Sequence, residues 1–235
     1  LPLVNIAQPF KSSGMMLTCR KDMGVNTTAD LKGKTLGVWF YGNEYPFLSW
    51  MSRLGLKTDG SANGVTVLRQ GWGVEPLTEG QAACVSTMSY NEYWVVRDAG
   101  YSPEQLTVFK YQSEGAATLE DGLYVHEKNL SDAAFKDKMV RFVRASMKGW
   151  KYAEANPKEA AMIILDNDDA GVQTEKHQVR MMGEIAKLTA GSNGSLDPAD
   201  YERTVKVLMS GDSDPVITKK PSGAWTNEIT NAALN

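Results

Sequence analysis

A group of aromatic and polar residues follows one apolar segment and could hold a small molecule. The segment Thr35–Phe40 has the composition of a strand, and its end and the following turn carry Trp39, Phe40, Tyr41, Gly42, Asn43 and Glu44. The ordinary alternative places Trp39 and Phe40 in the core and Tyr41 on the surface. However, such a turn brings backbone N–H groups and aromatic faces to the carboxyl end of a strand, where open α/β sheets keep their ligands. We therefore predict a ligand-binding turn.

Polar and aromatic residues also follow other predicted strands, and we expect them to join the same site. Rings supply stacking surface, and carboxylates accept hydrogen bonds from ring N–H or amino groups, which suits a flat, polar, nitrogen-bearing ligand. The alternative for the polar residues is helix capping, since Asn43 and Asn91 occupy N-cap positions and a helix N-terminus favours carboxylates such as Glu92. The predicted ligand-binding residues are Gln8, Trp39, Tyr41, Gly42, Asn43, Glu44, Gln70, Tyr90, Glu92 and Glu120.

The sequence carries no familiar catalytic or metal-binding motif. It has no GxSxG elbow, Walker A loop, GxGxxG fingerprint or HExxH helix. No nucleophile is placed for His126 or His177, and the histidines and cysteines lack metal-ligand spacing. We therefore expect no catalytic residue, no metal and no cofactor.

The two cysteines, Cys19 and Cys84, both lie in apolar, strand-like runs. Such positions favour buried free thiols, because an unpaired cysteine behaves as a small hydrophobic residue. A disulfide between them stays open at this level.

Composition narrows the function classes. The chain has 235 residues, with 42% hydrophobic and 23% charged residues, as in ordinary globular proteins. A net charge of −3 argues against nucleic acid or an anionic membrane as the main partner, because both need a basic surface. The first ten residues, LPLVNIAQPF, lack the basic start of a signal peptide and resemble a strand in progress. We expect the chain to begin inside a fold.

Short strands alternate with helices up to about Phe109, which indicates parallel βαβ units. The predicted strands are Val4–Ala7, Met15–Arg20, Thr35–Phe40, Thr66–Arg69, Ala83–Thr87, Leu106–Tyr111 and Leu119–Glu127. The predicted helices between them are Thr28–Leu31, Tyr45–Leu54, Glu75–Glu79 and Asn91–Ala99. After Ser131, the predicted cap of a long amphipathic helix, the pattern becomes almost entirely helical. Further helices are predicted at Pro157–Leu165, Thr174–Leu188, Pro198–Met209 and Trp225–Leu234.

Several runs resemble the NMT1/THI5-like group of ABC-importer solute-binding proteins. They are VNIAQPFKSSGMML, DLKGKTLGVWFYGNEYPFLSWM, MSYNEYWVVRDAGY, LEDGLYVHEKNL and FVRASMKGWKYAEANPKEAAMIIL. The resemblance implies an α/β, type II periplasmic-binding-protein fold, with two lobes, parallel-dominated sheets and a helical C-terminal half. It implies that residues 10–109 form the second lobe, with 1–9 and 110–235 forming the hinge, the C-terminal helices and the rest of an incomplete first lobe. The N-terminal part of the family's first lobe would then precede Leu1.

The resemblance also implies roles for residues. Gln8 would lie at the hinge, and the turn Trp39–Glu44 and the carboxylate of Glu92 would correspond to positions where pyrimidine-binding relatives hold their ligand. The implied function is capture, between two lobes, of a small polar or aromatic solute such as a thiamin-precursor pyrimidine or a sulfonate. The implied partners are that solute and an inner-membrane ABC permease, with no nucleic acid. We expect a monomer, periplasmic or lipid-anchored outside the cytoplasm.

The alternative on the same fold is a THI5-like pyrimidine synthase, which is an enzyme. This chain lacks the cysteine-rich iron-binding motif and the catalytic histidine region of that group. The resemblance therefore favours a binding protein.

Overall fold

The computed structural model describes residues 2–210 and 215–234. Its strands are β1 (Leu3–Ala7), β2 (Met15–Arg20), β3 (Thr35–Val38), β4 (Thr66–Arg69), β5 (Cys84–Met88), β6 (Leu106–Lys110) and β7 (Leu123–His126). Its α-helices are α1 (Glu44–Arg53), α2 (Glu75–Thr78), α3 (Glu92–Asp98), α4 (Ala133–Ala155), α5 (Pro157–Asp166), α6 (Glu175–Thr189), α7 (Pro198–Met209) and α8 (Glu228–Leu234). The predicted α/β class and the order of elements are confirmed.

The chain forms two compact units. Unit 1 comprises Leu1–Ser13, Leu119–Arg203 and Lys220–Asn235. Unit 2 comprises Gly14–Thr118 and Thr204–Lys219, so a boundary between them falls inside α7.

Unit 2 contains a five-stranded mixed sheet in the order β4-β3-β5-β2-β6. β3 pairs in parallel with β4 and β5, whereas β2 pairs antiparallel with both β5 and β6. Four strands therefore share one direction, and β2 is inserted between them in reverse. The parallel βαβ units predicted from the sequence are present in β3 to β6, and β2 is the exception.

Unit 1 contains a two-stranded sheet in which β1 and β7 pair antiparallel, so parallel pairing does not extend to these strands. The reason is connectivity: the chain leaves unit 1 after β1 and re-enters it just before β7. Buried side chains of α4 and α8 cover these strands, with Ile6, Val125, Val143 and Ile229 in one core. Phe10 meets Trp150 of α4 edge to face, with ring centres 5.7 Å apart.

The core of unit 2 forms around Trp50 of α1. Its ring centre lies 5.6 Å from those of Phe109 and Tyr111, and all three side chains are buried. Cys19 of β2 and Cys84 of β5 also lie in this core, joined by a disulfide. The expectation of free thiols is thus wrong: each residue fits an apolar strand, as the sequence indicated, but the antiparallel register places the two directly opposite each other.

Several predicted boundaries also move, and three of these shifts have a clear local cause. β3 ends at Val38, two residues early, because the chain turns sharply at Tyr41. β7 begins only at Leu123, because Asp121 has a left-handed backbone with φ of 53°. The cap of α4 is Asp132, whose carboxylate accepts the Ala134 N–H at 2.9 Å, whereas the Ser131 hydroxyl donates to the Lys128 carbonyl. Within the described residues, no helix is both long and apolar enough to cross a membrane.

Candidate ligand-binding site

The carboxyl ends of three neighbouring strands meet at one edge of the unit 2 sheet. β3, β4 and β5 share a direction, so the loops at residues 39–43, 70–74 and 89–91 leave the sheet on the same side. β2 runs the other way, and its first residue, Met15, pairs with Met88 at this edge. The geometry therefore brings together the strand ends from which the sequence predicted a site.

The first loop contains a left-handed turn at Tyr41 and Gly42. Their φ angles are 64° and 110°. Only Gly42 adopts a positive φ without steric strain, because glycine has no Cβ. The Glu44 carboxylate accepts the Gly42 N–H at 2.7 Å and so holds the turn at the start of α1. Tyr41 is 92% exposed, with its ring facing solvent. A backbone conformation that costs about 1–3 kcal/mol thus presents an aromatic face.

Two residues join this loop to the next one. The Trp39 indole N–H donates to the Gly71 carbonyl at 2.9 Å, and the ring packs on the unit 2 core. The Cζ atom of Arg69 lies 5.2 Å from the ring centre of Phe40 and 4.9 Å from that of Tyr41. Sequence reasoning missed Arg69; its position at the end of a strand, directly before Gln70, was the available signal.

The Gln70 amide is committed to the protein. Its Nε2 donates to the carbonyls of Gly73 and Ser86, both at 3.0 Å, and its Oε1 accepts the Ser86 N–H at 2.8 Å. The side chain is buried and ties the second loop to β5. Gln70 thus shapes the site, and the structure shows no free polar atom on its amide.

The third loop is held by Glu92 at the start of α3. One carboxylate oxygen accepts the Met88 N–H at 2.9 Å, and the other accepts the Asn91 side-chain amide at 2.7 Å. Tyr90 directly precedes Asn91 in this loop and is half-buried. On the first loop, Asn43 is exposed and donates to the Phe40 carbonyl at 3.3 Å. Asn43 and Asn91 occupy N-cap positions, but neither side chain makes the capping hydrogen bond.

The remaining two predicted residues, Gln8 and Glu120, lie together in unit 1. Gln8 is buried; its Oε1 accepts the Asn5 amide at 3.0 Å, and its Nε2 donates to the Glu120 carbonyl. The Glu120 carboxylate accepts the Ser13 hydroxyl. This network fits because residue 122 is glycine: a Cβ there would lie 2.4 Å from Asn5 Nδ2 and 2.8 Å from Gln8 Oε1.

Asp121, next to this network, is the second strained residue. With Tyr41, it makes up the pair of described non-glycine residues that have positive φ. Its side chain reaches solvent, but partial desolvation raises the pKa of its carboxyl above the usual value. Strained backbone is retained where function or packing requires it, so each unit has one such position beside its predicted site residues.

The structure thus groups Trp39, Tyr41, Gly42, Asn43, Glu44, Gln70, Tyr90 and Glu92 in unit 2, and Gln8 and Glu120 in unit 1. Ligand contact by any of them stays a prediction. Both cysteines are in the disulfide, so neither provides a thiolate nucleophile. Among residues 2–210 and 215–234, no group of three or more histidine, cysteine or carboxylate side chains could hold a metal ion.

Comparison with models of protein families assigns the chain to a family. The model of the family described as NMT1/THI5 like matches residues 1–160. The chain belongs to the NMT1/THI5-like family. It is also similar to the formylaminopyrimidine-binding protein of Halalkalibacterium halodurans, with 22% identity over 97% of this chain and 69% of that protein.

Solved structures with a similar fold include a binding protein and an enzyme. The periplasmic aliphatic sulphonate binding protein SsuA of Escherichia coli superposes with a TM-score of 0.58 at 14% identity, over 93% of this chain and 67% of that one. The desulfurization enzyme DSZB superposes with a TM-score of 0.60 at 14% identity, over 99% and 79%. The fold is that of the periplasmic binding proteins, and by itself it does not separate binding from catalysis.

Proposed function

We propose that this chain is the solute-binding protein of an ABC importer. It captures a small polar or aromatic solute, of the thiamin-precursor pyrimidine or sulfonate type, and delivers it to a membrane permease. Ligand binding would bias a conformational equilibrium that the permease recognises. The family and the pyrimidine-binding relative support this proposal.

The observation that carries the proposal is the turn at Tyr41. An exposed ring is held in a strained conformation at the carboxyl end of β3, beside the loops that follow β4 and β5. This edge is where α/β sheets bind ligands. A tyrosine that served only packing would be buried, and a loop that served only to reverse the chain would place glycine or asparagine at such a φ.

The disulfide supports a location outside the cytoplasm. Cys19 and Cys84 are joined in the core of unit 2. Structural disulfides form and persist in oxidising compartments such as the bacterial periplasm. A periplasmic or lipid-anchored protein would meet that condition.

The second candidate function is an enzyme on the same fold, favoured by the likeness to DSZB. In this chain the side chains at the predicted site are mainly committed to backbone groups. The side chains of Glu44, Gln70 and Glu92 each accept a backbone N–H group, from Gly42 or from strand β5. Such an arrangement preorganises a binding surface, whereas a general base needs a free carboxylate within reach of its substrate.

A thermal-shift screen tests the proposal, because a ligand that binds only the native state raises the melting temperature. The panel should contain pyrimidines, sulfonates and aromatic acids. At least one class should raise the melting temperature in a concentration-dependent way. The substitution Tyr41→Ala should weaken that ligand's binding by about tenfold, the worth of one stacking contact.

Tyr152→Ala is the matched control, because Tyr152 is also an exposed tyrosine, on α4 of unit 1. Its removal should leave the ligand's dissociation constant unchanged. The proposal is contradicted if no solute binds the wild-type chain. Iron-dependent conversion of a pyridoxal or histidine substrate would instead support the synthase.

A further inference from the structure

We propose that Arg69 is the anion-binding residue of this site, so that its solute is a planar ring bearing an oxyanion such as a carboxylate or sulfonate. The inference rests on the proposed binding function and specifies the ligand's chemistry.

Arg69 is the last residue of β4, the edge strand of the unit 2 sheet. It pairs in register with Val38, the last residue of β3. Its side chain therefore leaves the sheet at the carboxyl-end edge, beside the loop of residues 39–43. The residue is exposed, so a solute can reach it without any rearrangement of the unit 2 core.

The guanidinium is held by stacking. Its Cζ atom lies about 5 Å from the ring centres of both Phe40 and Tyr41 (5.2 and 4.9 Å). Contact with ring faces positions a planar guanidinium while its N–H groups still point outward in its own plane. Those N–H groups form the fork that binds a carboxylate or sulfonate through two parallel hydrogen bonds.

The guanidinium donors of Arg69 are not used elsewhere: within the described part of the chain, this side chain makes no ion pair and no hydrogen bond. Other arginines do have acceptors: Arg20 pairs with Asp22 at 2.7 Å, and Arg53 donates to the Glu114 carbonyl at 2.8 Å. Likewise, Arg97 donates to the Tyr101 carbonyl at 2.8 Å. An arginine fixed by two rings but lacking an acceptor is arranged to receive one.

The Tyr41 ring beside this cation is exposed, and a second exposed aromatic residue follows in the loop after β4. Tyr41 is 92% exposed, and Trp72, on the loop after β4, is 97% exposed. A solvent-exposed cation–π contact is worth only about 0.5–1 kcal/mol, less than the upper range of the strain at Tyr41. The contact with Arg69 alone therefore does not explain why Tyr41 keeps a strained backbone. Both features are explained if the Tyr41 ring stacks on the ring of the solute while Arg69 binds the oxyanion of the same solute.

Titration calorimetry with paired probes tests the inference at low ionic strength, where exposed charges are least screened. The probes are benzoate against benzamide, and benzenesulfonate against benzenesulfonamide, in each case the anion against a neutral compound of similar shape. Wild type should bind the anions at least tenfold more tightly. Arg69→Gln should abolish this preference, and Arg69→Lys, which keeps the charge without the planar fork, should retain part of it.

Lys110→Gln is the control variant, because it removes one positive charge, as Arg69→Gln does. Lys110 is exposed at the end of β6, the opposite edge strand of the same sheet, and its removal should change no affinity by more than about twofold. The inference is overturned if Arg69→Gln binds the anions like wild type, or if wild type binds neutral rings and none of the anions. Either result leaves solute binding in place. Failure of every pyrimidine, sulfonate and aromatic acid to bind removes the proposed function, and this inference with it.

Discussion

Cys19 and Cys84 lie directly opposite each other on antiparallel strands β2 and β5, with Cα atoms 3.9 Å apart and a disulfide between them. They are 65 residues apart in the sequence. The bond therefore joins the strand that opens unit 2 to the strand that follows α2. It fixes β2, the one reversed strand of the sheet, to β5, one of the four strands that run in the other direction.

Reducing this disulfide should lower the free energy of unfolding by about 2–4 kcal/mol, because the open chain regains the entropy that loop closure removes from the unfolded state. Urea unfolding with and without reductant measures the loss. The double variant Cys19→Ala, Cys84→Ala is the control, and reductant should leave its midpoint unchanged. Equal midpoints for wild type in both conditions would mean that the bond does not form in solution.

Tyr111→Phe should be neutral or should stabilise the protein by about 1 kcal/mol. The Tyr111 side chain is fully buried, and its hydroxyl has no hydrogen-bond partner among the described residues. Burial raises the pKa of this phenol well above its usual range. An unsatisfied buried hydroxyl costs free energy that phenylalanine avoids. A loss above 1 kcal/mol on urea unfolding would show that the hydroxyl has a partner.

Gly122→Ala should destabilise the protein by about 1–3 kcal/mol, because the new Cβ would overlap the amides of Asn5 and Gln8. Gly149→Ala is the matched control in the same unit. It lies within α4 with open space around it, so alanine there should stabilise the helix by about 0.5–1 kcal/mol. Thermal or urea unfolding distinguishes the two signs. Equal effects would mean that the Asn5–Gln8 network tolerates a side chain at position 122.

Asp121→Asn should stabilise the protein at neutral pH and have less effect in acid. Desolvation raises the pKa of the Asp121 carboxyl in the folded state. Its favourable contribution is therefore present below the ordinary aspartate pKa of about 4 and is lost as the pH rises through the folded-state value. Asparagine carries no charge and tolerates positive φ. Unfolding curves at pH 3 and pH 7 measure the difference.

For Asp30→Asn we expect the opposite pH dependence of stability. The N–H groups of Asn26 and Thr27 donate to its carboxylate at 3.0 and 2.8 Å, which lowers the pKa of Asp30. Its contribution is present above the ordinary aspartate pKa and is lost as the pH falls through the folded-state value. The variant should therefore be less stable than wild type at neutral pH. If both variants shift stability in the same direction with pH, the assignment for Asp121 is wrong.

Much of the fold could be predicted because its signals are local. The spacing of apolar residues predicted α4, and Asn156–Pro157 marked the start of α5. The alternation of short strands with helices predicted the parallel order of β3 to β6. The two shortened strands also have a local cause: Tyr41 and Asp121 adopt left-handed conformations that their residue types do not favour, so the adjoining strands are shorter than predicted.

For the candidate site, the sequence indicated which loops form it but not what the side chains of those loops bind. Gln8 and Gln70 were predicted as ligand contacts, and the structure buries both with their amides occupied. Arg69 was overlooked because nothing near it in the sequence shows that its guanidinium stacks on Phe40 and Tyr41. That contact joins residues about thirty positions apart and depends on the register of β3 with β4.

The sequence by itself determined the α/β class, the order of the elements and the turn of aromatic residues after β3, because propensity, periodicity and capping act over a few residues. Only the tertiary structure decided the reversed insertion of β2, the pairing of Cys19 with Cys84 and the placement of Arg69 over two rings. These features depend on strand register, which distant segments set when they pack together.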